Sequence, residues 1–199
     1  MRVLVACEFS GVVRDAFLSR GHDAWSCDLL PTENPGPHYQ EDVLNILDDG
    51  WDLMIAFPPC THLACSGARW FEQKRKDGRQ QQGVDFFMAL TEANIPKTAI
   101  ENPVGIMSTK WRKPDQIIQP YQFGHEAQKT TCLWLKNLPK LRPTSVVGKG
   151  EFITYKSGKK MPKWYAELYG NGHGRSITFQ GIADAMADQW TEAERLGVE

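Results

Sequence analysis

The sequence has no long apolar run, no excess of charge of either sign and no paired-cysteine framework, and each absence removes a class of protein. No stretch approaches the roughly 18 consecutive apolar residues that suggest a membrane span, so no membrane partner is expected. Lys and Arg number 23 against 24 Asp and Glu, for a formal charge of -1. No global basic excess therefore advertises a phosphate-backbone partner, although a local basic face would serve one equally well. The five cysteines, Cys7, Cys27, Cys60, Cys65 and Cys132, are odd in number and lie mostly in apolar segments. That usage points to free thiols in a reducing compartment, with the cytoplasm the simplest home. The opening MRVLVACEFSG carries one positive charge and then a strand-like run, without a signal-peptide cleavage pattern.

What is present suits one ordinary folded core. A chain of 199 residues, 41% hydrophobic and 24% charged, reads as a single domain over 1–199 with room for a small insertion. Val3, Leu4, Val5 and Ala6 form a short apolar run, so Arg2 to Cys7 reads as a buried strand. A helix is expected from Val12 to Arg20, with Val13, Ala16 and Phe17 inward and Gly21 stopping it. His22 to Cys27 is a second strand ending at Asp28, which completes a parallel crossover unit.

The stretch PTENPGPHY reads as loop, and VLNIL after Asp42 as a short helical or extended segment. WDLMIAF, bounded by Pro58 and Pro59, is a strong third strand, and TAIEN behind Pro96 a fourth. Between them, FEQKRKDGRQQQG reads as an exposed loop or polar helix that gathers Arg69, Lys74, Arg75, Lys76 and Arg79. A helix is expected over Val84 to Ala93, strand character over Thr131 to Leu135, and a final amphipathic helix over Gly181 to Leu196. Residues 148–175, rich in glycine, lysine and aromatics, show no core pattern. Strands alternating with helices predict an α/β fold, a mostly parallel sheet with helices on both faces, which binds ligands beyond the carboxyl ends of its strands.

Four polar groups come just after predicted strands: Glu8 to Gly11, Asp28, Pro58 to Cys60, and Glu101 to Asn102. Parallel strands would gather them along one edge. Gly11 allows a tight turn, and the amides of the first helix offer a place for an anion or a carboxylate, although a glycine after a first strand is also an ordinary turn device. Asp28 is placed to accept ribose hydroxyls and Asp42 to meet an adenine amino group, unless each merely caps a loop. Two prolines stiffen the approach to Cys60 and aim its thiol beyond the sheet. A thiol of reference pKa about 8.5 becomes a nucleophile when a helix terminus or cation favours its thiolate, and is otherwise an inert buried group. Burial of Glu101 would keep it protonated and able to donate, unless it pairs structurally with a basic group or amides. Cys60, His62 and Cys65 supply only three soft ligands, with no fourth nearby, so no metal is expected.

Together these segments resemble the cytosine-5 DNA methyltransferase family, particularly the short versions encoded by bacteriophages and prophages. The matching order is FSG at the first strand, Asp28 at the second, Asp42 in the next loop, FPPC at the nucleophile loop and ENPVG at the glutamate strand. YQFGHEAQKTT resembles the segment around a family glutamine, Gln128 here, and RSITFQGIADAMADQW the returning segment and last helix. The resemblance implies a Rossmann-like methyltransferase sheet, a bacterial cytosolic enzyme, and S-adenosyl-L-methionine as cofactor. It assigns Phe9, Gly11 and Pro58 to the cofactor pocket, Asp28 to the ribose and Asp42 to the adenine. Cys60 would attack C6 of cytosine in DNA, Glu101 would contact N3 and the exocyclic amine, and Asn102 would fix the loop. Gln128, Lys129 and Arg175 are the expected substrate contacts.

The chain departs from that family in several places. FSGVV lacks a second glycine, Cys60 is followed by Thr61 rather than glutamine, and the positions of the family's two target-site arginines hold Thr130 and Cys132. Only residues 138–174 are available as a reduced substrate-recognition insertion, with Lys149, Lys156, Lys159, Lys160, Lys163 and Arg175 around Trp164 and Tyr165 as a basic face or a solvated loop. Duplex DNA requires the target base to be flipped out, which so lean a chain supports with difficulty. Dimerisation, a partner subunit, single-stranded DNA or a free pyrimidine nucleotide would each relieve that demand. A noncatalytic nucleic-acid-binding or anti-restriction protein is the reading from another class.

Overall fold

The computed structural model describes residues 1–168 and 170–191. Its centre is a seven-stranded sheet of β1 (Arg2–Ala6), β2 (Asp23–Asp28), β3 (His38–Gln40), β4 (Leu53–Ala56), β5 (Lys97–Pro103), β6 (Gln116–Ile118) and β7 (Thr131–Lys136). Their spatial order is β3-β2-β1-β4-β5-β7-β6. All neighbours from β3 to β5 pair in parallel, whereas β7 runs against both β5 and β6. The expected α/β fold is thus present, and one reversed strand in this order is the arrangement of a Rossmann-like methyltransferase sheet.

Burial on both faces explains the continuous apolar runs of the central strands. On one face Val3, Val5, Leu53 and Ile55 pack with Val13 and Phe17 of α1 (Val12–Leu18). The last described helix closes the same core through Ile182, Ala183 and Met186. On the other face Leu4, Ala6, Met54, Ala56 and Ile100 meet Phe87, Leu90 and Trp134. Phe87 and Leu90 belong to a long helix over Arg79–Glu92, so helices do cover both faces.

The polar stretch after Cys60 is more ordered than its composition suggests. It forms α2 (Phe71–Lys76) and, past a left-handed Gly78, the start of α3 (Arg79–Glu92), which begins five residues before the expected Val84. Lys74, expected on the exposed surface, is only 7% exposed. A short α4 (Met107–Lys110) follows β5. Residues 148–175 hold a hairpin of β8 (Phe152–Thr154) and β9 (Lys160–Pro162), then α5 (Lys163–Glu167) and α6 (Gly172–Ser176). The closing helix, α7, spans Gln180–Gln189 and is capped at Trp190, where the expectation carried it on to Leu196; residues 192–199 lie outside the described residues.

Two sheet members were not expected from the sequence. His38–Gln40, which reads as loop, is the edge strand β3, and Gln116–Ile118 is the opposite edge, β6. Three-residue edge strands are too short for any periodic pattern to declare them. Among the described residues, no helix is long and apolar enough to cross a membrane.

Phe87 is fully buried, with its ring 5.3 Å from that of Trp134 in an edge-to-face pair. Phe87→Ala should therefore lose about 3–5 kcal/mol of stability, read as a lower urea midpoint with little change in slope.

Candidate active site at the strand ends

The chain leaves β1 through Cys7 in a left-handed conformation, φ 59°, which is uncommon for a residue with a Cβ. Glu8 then turns inward, 5% exposed, and accepts from the backbone amides of Val13 at 2.7 Å and Arg14 at 3.2 Å. The carboxylate that the first helix was expected to receive is thus supplied by its own chain. Gly11 is left-handed at φ 78°, and a Cβ there would lie 2.5 Å from Nη2 of Arg14. Its close approach is to that guanidinium, which is fully buried and donates to Ser26 Oγ, Thr32 Oγ1 and the Asn34 carbonyl. Phe9 stacks on His173 of α6 with centroids 4.7 Å apart, and His173 pairs with Glu33 at 2.6 Å.

Asp28 ends β2 and accepts from the Leu30 amide at 2.9 Å, while Asp42 caps a single turn by accepting from Leu44 at 3.0 Å. Both are loop caps in this sense, yet their charges converge. Burial pushes the Cys7 thiol up strongly, and Asp28, Cys27 and Asp42 push it further. The expected ribose and adenine carboxylates therefore share one neighbourhood at the end of β1.

The second neighbourhood forms where β4 and β5 end side by side. Their parallel register places Ala56 beside Ile100, so Glu101 and Asn102 emerge next to the loop that carries Cys60. Asn102 is 1% exposed and donates through Nδ2 to the carbonyl of buried Pro58 at 2.9 Å. The loop then tightens: the amides of Leu63 and Ala64 both donate to the Cys60 carbonyl at 2.9 Å. Pro58, expected in the cofactor pocket, offers its carbonyl to Asn102 and so ties β5 to the loop of Cys60.

Because β7 is antiparallel, its first residue, Thr131, pairs with Pro103 at this same edge. That brings Lys129 to Glu101. Burial pushes the Glu101 carboxyl above the usual range, while the Lys129 charge and a hydrogen bond from Thr131 act against the rise. Burial also raises the Cys60 thiol and the Glu101 charge adds to it, with the loop backbone, Lys129 and Arg175 opposing. The net direction is up, so at neutral pH the sulfur holds its proton; the expected cationic activation is present but outweighed.

Of the residues expected at the site, Cys60, Glu101, Asn102, Lys129 and Arg175 come together. Gln128 adjoins them but is turned to the insertion, its Nε2 donating weakly to the Lys149 carbonyl at 3.4 Å and its own carbonyl accepting from Trp164 at 3.0 Å. Trp164 and Tyr165 do not build an outward basic face: Trp164 packs on Phe179, and Tyr165 receives Arg175, 2.6 Å from Nη1 to the hydroxyl. Among the described residues, the exposed large apolar groups of the insertion are Val146, Phe152, Ile153 and Tyr155 instead. Glu8 was expected among the polar strand ends, but nothing in the sequence pattern marks the roles of Arg14, Lys74 and Thr131; for Thr131 the missing information was the reversal of β7. Among the described residues, no group of three or more His, Cys, Asp or Glu is disposed to hold a metal ion.

No family model matches the chain, and no curated protein does. Among solved structures it is similar to a chain from E. coli provisionally described as a DNA modification methyltransferase encoded within a prophage, at 17% identity and a TM-score of 0.49. The match covers 74% of this chain and 52% of that one, so this chain spans about half the length of the structure it matches.

The charge pattern sets opposite signs for two substitutions. In a Cys65→Ser background, which removes the exposed cysteine, Glu101→Gln should lower the pH midpoint of Cys60 alkylation by iodoacetamide and Lys129→Met should raise it. Midpoints that both stay fixed would show that these side chains do not face the thiol.

Proposed function

We propose that the protein transfers a methyl group from S-adenosyl-L-methionine to C5 of cytosine in DNA through a covalent adduct at Cys60. One observation carries the reading: the parallel register of β4 and β5 sets Glu101 and Asn102 beside the loop of Cys60, where the Glu101 carboxyl, raised by burial, bears on the thiol. The arrangement suits a flat ring that is attacked on one edge atom and protonated or hydrogen-bonded at another. Bound cofactor would supply an electrophilic methyl group. The residues present suit its nucleoside portion, because Asp28 and Asp42 offer acceptors for hydroxyl and amino donors in one neighbourhood.

The chain's own residues would act as follows. Cys60 gives its proton to water, and the thiolate forms a sulfur–C6 bond as the C5–C6 π bond breaks and leaves its electron pair at C5. Glu101, protonated, donates to N3 and accepts from the exocyclic amine, stabilising the charge that develops on the ring. Asn102 holds the Pro58 carbonyl and so the loop. Once C5 carries the methyl group, water takes the C5 proton, and the electron pair of that C–H bond re-forms the C5–C6 double bond as the thiolate leaves. Lys129 and Arg175 supply positive charge at an edge where Thr130 and Cys132 offer none.

The alternative of a free pyrimidine nucleotide or another nucleic-acid substrate draws on one feature, the shortness of the insertion, whose Tyr165 and Arg175 are engaged with each other. Both readings are tested by offering labelled S-adenosyl-L-methionine with duplex DNA, single-stranded DNA and free cytosine nucleotides in parallel. Label should enter DNA, vanish in Cys60→Ser, and fall by about 10²–10⁴ in Glu101→Gln. DNA containing 5-fluorocytosine should trap a covalent complex at Cys60. Transfer to free nucleotide alone would reject the DNA reading.

A further inference from the structure

The nucleophile loop is held from three directions, and one hold comes from a cation outside the cluster around Cys60. Asn102 grips the Pro58 carbonyl, two residues before the thiol. After it, Ala64 bridges to Gly105, with the Cys65 amide on the Val104 carbonyl at 2.9 Å and the Ile106 amide on the Leu63 carbonyl at 3.0 Å. A Cβ on Gly105 would collide with the Leu63 carbonyl oxygen, so the two loops touch backbone to backbone.

The third hold is Lys74 of α2. Its Nζ donates to the Thr61 carbonyl, in the Thr61–His62 peptide one residue past Cys60, at 2.5 Å. Its neighbours behave as surface charges: Lys76 pairs with Glu72 and Arg79 with Asp77, all of them partly or fully exposed. Lys74 instead is 7% exposed and, among the described residues, pairs with no carboxylate. Gly67 leaves room for it, since a Cβ there would come 3.3 Å from Nζ. Burying an ammonium on a single carbonyl is costly, and the stem alone could be packed by an apolar residue without that cost.

We infer that Lys74 is a positioning residue for Cys60: its ammonium fixes the Thr61–His62 peptide, one residue past the nucleophile, and so sets the direction from which sulfur meets the substrate ring. The inference rests on Cys60 being the nucleophile. Lys74 acts through the backbone and not through charge on the sulfur, because the groups that shift the Cys60 thiol are Glu101, Lys129 and Arg175.

The test compares the full chain with Lys74→Met, which keeps the buried stem and removes the donor, and with Lys74→Ala, which opens a site for added ethylamine. Hydrogen exchange at the Leu63 and Ala64 amides reports the loop without substrate, since both amides bond to the Cys60 carbonyl. Lys74→Met should exchange there at least tenfold faster, with the α3 amides unchanged and the pH midpoint of Cys60 alkylation unmoved. Methyl-transfer kcat should fall about 100-fold while KM stays within about threefold, the behaviour of a displaced reacting group. Ethylamine should restore both protection and turnover in Lys74→Ala. Unchanged exchange at Leu63 and Ala64 in Lys74→Met overturns the inference whatever the turnover does. Faster exchange in a protein whose parent transfers no methyl group upholds the loop hold and overturns the cytosine reading instead.

Discussion

Parallel pairing of β1, β4 and β5, with both faces buried, is the constraint from which the site follows. Most side chains within these strands are committed to one core or the other, so the polar groups of the candidate site gather at and just past the carboxyl ends, Glu101 and Asn102 within the last residues of β5 and Cys60 beyond β4. The register then decides which of those residues meet. Ala6 beside Ala56, and Ala56 beside Ile100, bring three exits to one level although their sequence positions span almost 100 residues. A slip of β5 by one residue would exchange the facing of Glu101 and Asn102 and lose both the carboxyl group and the hold on Pro58.

At that edge the electrostatics favour neutral groups. Burial dominates the behaviour of Cys60, Glu101, Cys7 and Glu8, each raised by it before any neighbour acts. The two cations near Cys60 come from different parts of the chain, Lys129 from the approach to β7 and Arg175 from α6. Burial and the Glu101 charge together outweigh them, which keeps the Cys60 thiol protonated at neutral pH.

The strands β1, β2, β4 and β5, their mostly parallel sheet and the two-sided helical cover were legible, because a strand buried on both faces demands a continuous run of Val, Leu, Ile and Ala. Less legible was anything that depends on partners distant in sequence. Glu8 reads as a polar strand end, and only the path of α1 shows it capping two amides. Lys74 sits among arginines, lysines and glutamines, a composition that signals solvent; its burial is decided by the Thr61 carbonyl thirteen residues earlier. β3 and β6 are too brief to carry a pattern, and the reversal of β7, which delivers Lys129 and Thr131, leaves no mark on the residues of β7 itself.

Arg14, wedged between two glycines, has an evolutionary corollary. Side chains at positions 11 and 36 would each strike the same guanidinium, at 2.5 and 2.7 Å. The three sites consequently cannot vary independently: a residue bulkier than glycine at either position becomes tolerable only after position 14 has shortened, and shortening it strands Ser26, Thr32 and the Asn34 carbonyl. Drift in this loop must therefore proceed by compensated sets of substitutions, with the order of their arrival restricted.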